Sequence, residues 1–379
     1  MNLAFCLFNY FPFGGLERNF IAISQECIKR GHTIDVYTMS YEGEPPKGLN
    51  VNIVSVRGAS NHSKAAAFSK YMATNINRSN YDLVMGFNKI PGLDLYYAAD
   101  VCYAARIDRQ RNFLSKLTPR YRIFSVFEKA VFSPESPTHI IYISRQEKII
   151  YQDTYKTQEN RFHYAPPGIN KEKIQEDITF QNRQETRHLL SINEQDNLLL
   201  MVGSNFKTKG VDRSIRALAS LPDKLRGSTY LFIIGKGKEK NYKKMAASLG
   251  IGDNVHFLGT RDDVSLYLAG ADFLLQPSLN ENTGNAIVEA LVAGIPVLAT
   301  ENCGYAEHIR LANAGRVVPS SPFAQESMDM TLKEMLLSNE RDAWKKNALA
   351  YADRTDLYNR LNVICDIIES IATRKSSKV

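Results

Sequence analysis

Apolar residues along this chain gather into short continuous runs, each followed by a loop and then by a stretch in which they recur at helical spacing. LAFCLF (residues 3–8) is such a run, of a length that suits a buried strand. The loop after it holds Gly14 and Gly15, and Phe20, Ile21, Ile23, Cys27 and Ile28 then keep to one broad helical face. TIDVYT, VNIVSV, YDLVMGF and HIIYIS supply further strands. After APPGINKEK (residues 165–173) the theme restarts with NLLLMVGS, the loop FKTKG and an amphipathic helix from Asp212. YLFIIG, NVHFLG, DFLLQPS and IPVLAT then alternate with helical runs such as YKKMAASLG and VSLYLAGA. Strands that alternate with helices form parallel sheets with right-handed crossovers, so the pattern predicts two doubly wound α/β domains. The turn Pro166-Pro167-Gly168 joins them. We expect a first domain over residues 1–168, a second over residues 169–350, and a C-terminal helical segment over residues 351–379.

A chain of 379 residues, 44% hydrophobic and 23% charged, exceeds the size at which single cores stop growing, in keeping with two domains. No run approaches the ~20 apolar residues that span a bilayer. The start, MNLAFCLFNYFPFGG, lacks the basic region and cleavage site of a signal peptide, so the cytosol is the expected location. The five cysteines form no Cys-x-x-Cys pair, and their odd number fits reduced, mostly buried thiols. A net charge of +7 calls for an acidic partner, leaving open nucleic acid, a phosphorylated substrate and anionic lipid.

Doubly wound sheets bind ligands outside the carboxyl ends of their strands, so the chemistry belongs in the loops there. Gly14 and Gly15 let backbone amides approach a phosphate or sugar, although a tight turn is the better reading of this loop taken alone. No G-x-G-x-x-G follows the first strand and no G-x-x-x-x-G-K-[ST] occurs, which removes the main support for dinucleotide and Walker-type sites. Lys207 and Lys209 precede a helix start in the second half, a suitable place for a diphosphate. ENTGNAIVEALVAGIPV (residues 281–297) places Glu281 in a loop facing the cleft and starts a helix at Gly284. First-turn amides near Gly284 and Asn285 point outward there, and Glu289, more than a turn in, is placed to accept hydrogen bonds from a ribose diol. Gly294 ends that helix. An ordinary βαβ unit with solvated glutamates accounts for the helix, but not for a carboxylate on each side of its start.

Glu281 and Glu289, with Gly284 and EALVAGIPVLAT, resemble the signature of retaining GT-B glycosyltransferases of family 4. FPFGGLERNF, VYTMSYEG, GFNKIPGLD, YYAADVCY, PPGI, KGVDRSI and CGYA, collinear over nearly the whole chain, are similar to the lipopolysaccharide core glucosyltransferases of that family. Those enzymes add glucose from UDP-glucose to an inner-core heptose. The resemblance implies a GT-B fold, two Rossmann-like domains facing a central cleft. The first would bind the acceptor and face the membrane, and the second would bind the nucleotide sugar. It implies that Glu289 holds the ribose and Lys209 the diphosphate, that amides around Thr283, Gly284 and Asn285 take the phosphate or sugar, and that Glu281 grips the donor hexose. Gly14 and Gly15 would let the first half close over the diphosphate, Arg261 would lie near the nucleobase, and Asp100 would face the reacting centre as base or hydroxyl anchor. Same-face attack with retained configuration and no metal or other cofactor is implied as well; no Asp-x-Asp and no histidine cluster at ligand spacing occurs.

Two departures touch the site. Thr208-Lys209-Gly210 stands where relatives carry Arg-Lys-Gly, so Lys207 is the candidate substitute, and Glu17-Arg18-Asn19 stands where Gln-Arg-Asp is usual, placing a carboxylate near the acceptor. Residues 103–132 interleave Arg106, Arg109, Arg111, Lys116, Arg120, Arg122 and Lys129 with Phe113, Leu114, Leu117, Tyr121, Phe124 and Phe127, and Pro119 splits them into two helices. The pattern suits a helix lying in an anionic headgroup layer, but composition alone favours a core helix with a solvated basic face. A lipid-linked acceptor favours the first, and with it a peripheral place on the cytoplasmic face of the inner membrane. Cys303, without an evident base, reads as packing. Another donor or acceptor within family 4 and a UDP-sugar epimerase are the alternatives; a nucleic-acid-binding module explains the charge but not the donor-site loops.

Overall fold

The computed structural model of the chain describes every residue except 13, 110–112 and 377–379, and leaves the side chains of Arg109, Phe113 and Ser376 undescribed. The chain divides into two compact units, Met1–Pro166 with Asn359–Val379, and Pro167–Tyr358. The division thus falls inside the Pro166-Pro167-Gly168 turn.

The first unit contains β1 (Asn2–Cys6), β2 (Asn9–Tyr10), β3 (Thr33–Thr38), β4 (Ser40–Tyr41), β5 (Leu49–Ile53), β6 (Leu83–Gly86), β7 (Leu95–Ala98), β8 (His139–Tyr142) and β9 (Phe162–Tyr164). Seven of these form one parallel sheet in the order β5-β3-β1-β6-β7-β8-β9, and β2 pairs with β4. Alternation along β1 explains its unbroken apolar run. Leu3 and Phe5 join Phe20 and Ile23 of the helix Gly15–Lys29 on one face, while Ala4 and Cys6 join Phe68 and Phe127 on the other.

The second unit contains β10 (Asn197–Val202), β11 (Thr229–Ile234), β12 (Val255–Gly259), β13 (Phe273–Gln276), β14 (Val297–Thr300) and β15 (Gly315–Val318), parallel throughout in the order β12-β11-β10-β13-β14-β15. Leu198 and Leu200 of β10 face one core, and Leu199 and Met201 the other. The strand order reverses between β1 and β6 in the first sheet and between β10 and β13 in the second. Loops leaving the carboxyl ends at such reversals splay apart and open a crevice.

The C-terminal stretch differs from the single segment expected over residues 351–379. The helix Arg341–Arg354 stays in the second unit with Trp344, Ala348 and Tyr351 buried, whereas the helix Arg360–Ser376 belongs to the first. It lies on the helix Gly15–Lys29, where Cys27 and Cys365 bring their Sγ atoms to 3.4 Å and Arg30 reaches Asp366 at 2.6 Å. Burying Ile364 and Ile368 contributes about 1.5–3 kcal/mol each, against about 0–1 for the exposed ion pair, so apolar contact holds this helix in place. A period of 3.6 shows a helix; it does not say which unit the helix covers. All five cysteines are free thiols and buried.

Candidate functional site

In the second unit the loops after β10 and β13 meet at the reversal. FKTKG, expected as a loop, forms a helical turn, Phe206–Lys209, entered through Asn205 and left through Gly210, both left-handed. Gly210 has φ of 72°, and a Cβ there would lie 2.2 Å from the Pro277 carbonyl oxygen, so only glycine lets the two loops touch. The Leu279 amide donates to the Thr208 carbonyl at 2.8 Å, and Arg213 donates to the Pro277 carbonyl at 3.1 Å. This seam carries Lys209 to Glu281.

The Lys209 ammonium pairs with Oε1 of Glu281, with 18% and 15% of the two side chains exposed. Oε2 of Glu281 accepts from Gln276 Nε2 at 2.9 Å and from Ser278 Oγ at 2.8 Å. The carboxylate forces the Gln276 amide to turn its nitrogen inward, since the flipped amide would set oxygen against oxygen. The backbone of Glu281 is tied as firmly. Its amide donates to Asn302 at 3.0 Å, its carbonyl accepts from Gly304 at 3.0 Å, and the Thr283 carbonyl accepts from Tyr305 at 2.8 Å. Cys303 sits under this seam, its thiol pushed up to about 12 by burial and then by the Glu281 charge. It is a packed, protonated thiol, as expected.

The helix that follows is Asn285–Val292, one residue shorter at each end than expected, with Gly284 as its N-cap at φ 95° and Gly294 just beyond its end at φ 73°. Among the described residues no side chain caps its start; the Ile287 amide donates to the Gly284 carbonyl at 2.9 Å, and the amides of Asn285 and Ala286 precede it with no carbonyl of their own helix to meet. Glu289 is half-buried in its second turn. Arg261 follows β12 and is held by Asp263 through Nε at 2.9 Å and Nη2 at 2.6 Å, 5.3 Å from the Tyr267 ring centre. It lines an open cavity of about 540 Å³ with Lys173, Asp177 and Thr260.

Gly14, Gly15 and Asp100 belong to the first unit. Gly14 is the N-cap of the helix Gly15–Lys29 in ordinary extended conformation. A Cβ there would lie 1.7 Å from Oε2 of Glu17, whose carboxylate folds back over the helix start and would have to swing away to admit one. Burial raises the carboxyl of Glu17, its own amide works against that, and the charge of Asp100 raises it further. Asp100 itself is exposed, and its carbonyl accepts from Tyr151 Oη at 3.0 Å.

Residues 103–132 are less uniform than their composition. The helices Tyr103–Arg109 and Pro119–Phe132 flank a turn at Phe113–Leu117, with Pro119 opening the second helix as expected. The apolar stripe does not share one face: Phe127 is buried and Phe124 half-buried, while Leu114 and Leu117 are 77% and 70% exposed. Lys116 pairs with Asp108, and Arg122 and Lys129 are exposed. Arg111 lies outside the described residues.

Three residues that composition passed over prove structural to these sites: Gln276, Ser278 and Glu128. Glu128 is 0% exposed and accepts from Lys89 Nζ at 2.7 Å, from the amides of Tyr103 and Ala104 at 2.8 and 3.0 Å, and from Tyr155 Oη at 2.8 Å. Burial alone would raise its carboxyl, but Lys89 and these amides outweigh it and hold it below the usual range. Its position among Phe124, Phe127 and Val131, on the apolar face of the helix, is the signal that would have found it.

Among the described residues no group of three or more His, Cys, Asp or Glu is placed to hold a metal ion, and no helix is long and apolar enough to cross a membrane. Residues 13–173 match the family model "Glycosyltransferase Family 4", and residues 182–350 match "Glycosyl transferases group 1". The chain is 43% identical to the lipopolysaccharide glucosyltransferase WaaG of Escherichia coli (strain K12) over 97% of its length and 98% of the relative's. A crystal structure of WaaG superimposes with a TM-score of 0.86 over 97% of this chain and 99% of that one. Anabaena Alr3699/HepE, solved with UDP and glucose, shares the fold at a TM-score of 0.72 and 17% identity, with 98% and 100% of the two chains covered.

Proposed function

Because the chain belongs to the family 4 glycosyltransferases of GT-B fold, we propose that it moves glucose from UDP-glucose to an inner-core heptose of lipopolysaccharide, retaining configuration and using no metal. The observation that carries this reading is the meeting of Lys209 and Glu281 beside an uncapped helix start, at the strand-order reversal of the second unit. The similarity to a lipopolysaccharide glucosyltransferase over almost the full length of both chains supports the donor and the acceptor.

The charges give the mechanism. When the bond from the anomeric carbon to UDP breaks, negative charge grows on the diphosphate and positive charge on the hexose. Lys209 and the first-turn amides at Thr283, Gly284 and Asn285 stabilise the diphosphate. As the diphosphate takes Lys209 away, Oε1 of Glu281 is released to accept from hexose hydroxyls, while Oε2 stays anchored on Gln276 and Ser278. In the donor site Glu289 holds the ribose diol and Arg261, steadied by Asp263, lies near the nucleobase. In the first unit, Gly14 and Gly15 offer amides at a helix start, and Asp100 serves the acceptor as base or hydroxyl anchor. Exposed Leu114, Leu117 and Val126 beside Arg122 and Lys129 support a peripheral contact with the cytoplasmic face of the inner membrane. Nucleic acid has no part in this reading.

The test is to offer the protein a panel of UDP- and GDP-sugars with truncated lipopolysaccharide cores and to weigh the products. A gain of one hexose from UDP-glucose alone is expected, lost in Glu281→Ala and strongly reduced in Lys209→Ala. Turnover at the wild-type rate in both variants would reject the site, and epimerised UDP-sugar without acceptor would reject transfer.

A further inference from the structure

The first unit has a site of its own. Loops leaving β1, β3, β5, β6 and β7 surround a cavity of about 790 Å³, within the range of small-ligand sites and at the reversal of that sheet. Two aromatic rings form part of its wall, Tyr103 and Phe124, edge to face at 6.0 Å. Each carries a guanidinium: Arg106 lies 5.3 Å from the centre of Tyr103, and Arg120 5.9 Å from that of Phe124. At these distances each guanidinium is drawn to the ring by a cation–π contact, which occupies none of its N–H donors.

The charge of the lining is unbalanced. Lys64, Arg106 and Arg120 line the cavity, and none of them forms an ion pair among the described residues. Lys89 also lines it but is answered by Glu128, which leaves Asp100 as the carboxylate of the wall. Glu128 holds the start of the helix Tyr103–Arg109 through two amides, so the loop that presents Asp100, Tyr103 and Arg106 is anchored in the core. Amides and hydroxyls of Asn9, Asn61, Ser40 and Ser55 complete a surface suited to sugar hydroxyls. An uncharged saccharide would leave the three cations without a counter-charge. Arg106 and Arg120 are part of the basic segment whose composition points to a lipid surface; Arg106 is half-buried and Arg120 exposed, and both line this cavity, whereas Arg122 and Lys129 are exposed and do not.

Resting on the reading of the chain as a glycosyltransferase, we propose that this cavity seats an acidic oligosaccharide acceptor, its rings against Tyr103 and Phe124 and a phosphate or carboxylate substituent between Arg106 and Arg120. Asp100 then meets the acceptor hydroxyls within the same cavity, and the acidic substituent fixes which hydroxyl it meets.

The test compares the full chain with Arg106→Gln/Arg120→Gln and with Arg106→Lys/Arg120→Lys. The probes are a truncated lipopolysaccharide-core oligosaccharide with its acidic groups, the same after phosphatase, and the same after carboxyl reduction. Acceptor Kd is read by calorimetry without donor, beside UDP Kd, acceptor KM and sedimentation with phosphatidylglycerol vesicles. In the glutamine variant, acceptor Kd and KM should rise about tenfold or more, the loss of charge-assisted hydrogen bonds, with UDP Kd unchanged. The lysine variant, which keeps charge and loses the fork, should fall between. Whichever chemical treatment removes the difference between wild type and variant identifies the substituent. Equal wild-type affinity for the acidic and the fully stripped oligosaccharide overturns the proposal. So does unchanged acceptor affinity in the glutamine variant with loss of vesicle binding, which would return the arginines to the membrane. Failure of the wild type to use UDP-glucose would sink the transfer reading, while the donor-free Kd would still decide this one.

Discussion

Both units use the same device, a crevice at a strand-order reversal of a parallel sheet, but charge it in opposite ways. In the second unit cation and carboxylate meet: Lys209 neutralises Glu281, and the remaining carboxylate oxygen is held by Gln276 and Ser278. In the first unit Lys64, Arg106 and Arg120 stand in the cavity wall with no ion pair among the described residues. The difference fits the two jobs proposed for these sites, donor binding in the second unit and acceptor binding in the first. A donor site that must respond to charge growing during the reaction gains from a cation and a carboxylate already positioned there, the diphosphate taking over the cation and the hexose the carboxylate as the donor binds. An acceptor site has a fixed charge to recognise and can keep its cations open for it.

The strongest way to break this comparison is Glu281→Ala. We expect turnover to fall by about three orders of magnitude, the upper end of the range for losing a group aimed at the transition state. UDP should bind as well as before or better, because Lys209 no longer has an internal rival. Product mass and UDP calorimetry read the two effects separately. Weakened UDP binding in step with lost turnover would mean that the pair acts as a structural clamp.

Glu128→Ala tests the support under the first cavity. Removing a fully buried carboxylate leaves Lys89 and two amides without their partner, which costs about 3–5 kcal/mol. Urea unfolding should show the loss in the transition of the first unit only, with UDP affinity kept. An equal loss in both transitions would contradict the separation into two units.

Lys209→Ala should weaken UDP binding and lower kcat by about 10²–10³-fold, the cost of one charge-stabilising donor. It differs from Glu281→Ala in the sign of its effect on UDP. If the two variants changed UDP affinity in the same direction, the exchange of partners at Glu281 would be wrong.

How much of this could be read from the sequence follows from how local each cause is. The strands of β1 and β10 were legible because a sheet covered on both faces favours continuous apolar runs, and the places of Lys209 and Glu281 beside the ends of β10 and β13 were legible because loops follow such runs. That Gln276 and Ser278 hold one oxygen of Glu281 was not legible, since it depends on how the backbone after β13 turns. Arg106 and Arg120 were legible as cations, not in place: composition counts them with Arg122 and Lys129, and only the fold sets them beside Tyr103 and Phe124 in the cavity wall. The return of the helix Arg360–Ser376 to the first unit rests on contacts such as Cys27 with Cys365, more than three hundred residues apart along the chain, which no local period encodes.

The smallest expected effect sharpens the comparison at Glu17. Its carboxyl is raised in the fold by burial and then by Asp100, so the folded protein binds this proton more tightly than the unfolded chain. Stability at this residue is therefore fully present at low pH and lost as the pH rises through the raised value. Glu17→Gln removes the titration while keeping the shape. The variant should melt slightly above the wild type at neutral pH, and the gap should close as the pH falls into the ordinary glutamate range. An acidic ligand in the first cavity adds negative charge beside Asp100 and Glu17, so it should bind the variant more tightly than the wild type, most clearly near neutrality. A pH-independent gap in melting temperature would show that the carboxylate of Glu17 is as well solvated in the fold as outside it. In that case only Asp100 would be left to oppose the cations of the first unit, and the contrast between the two sites would be wider than drawn.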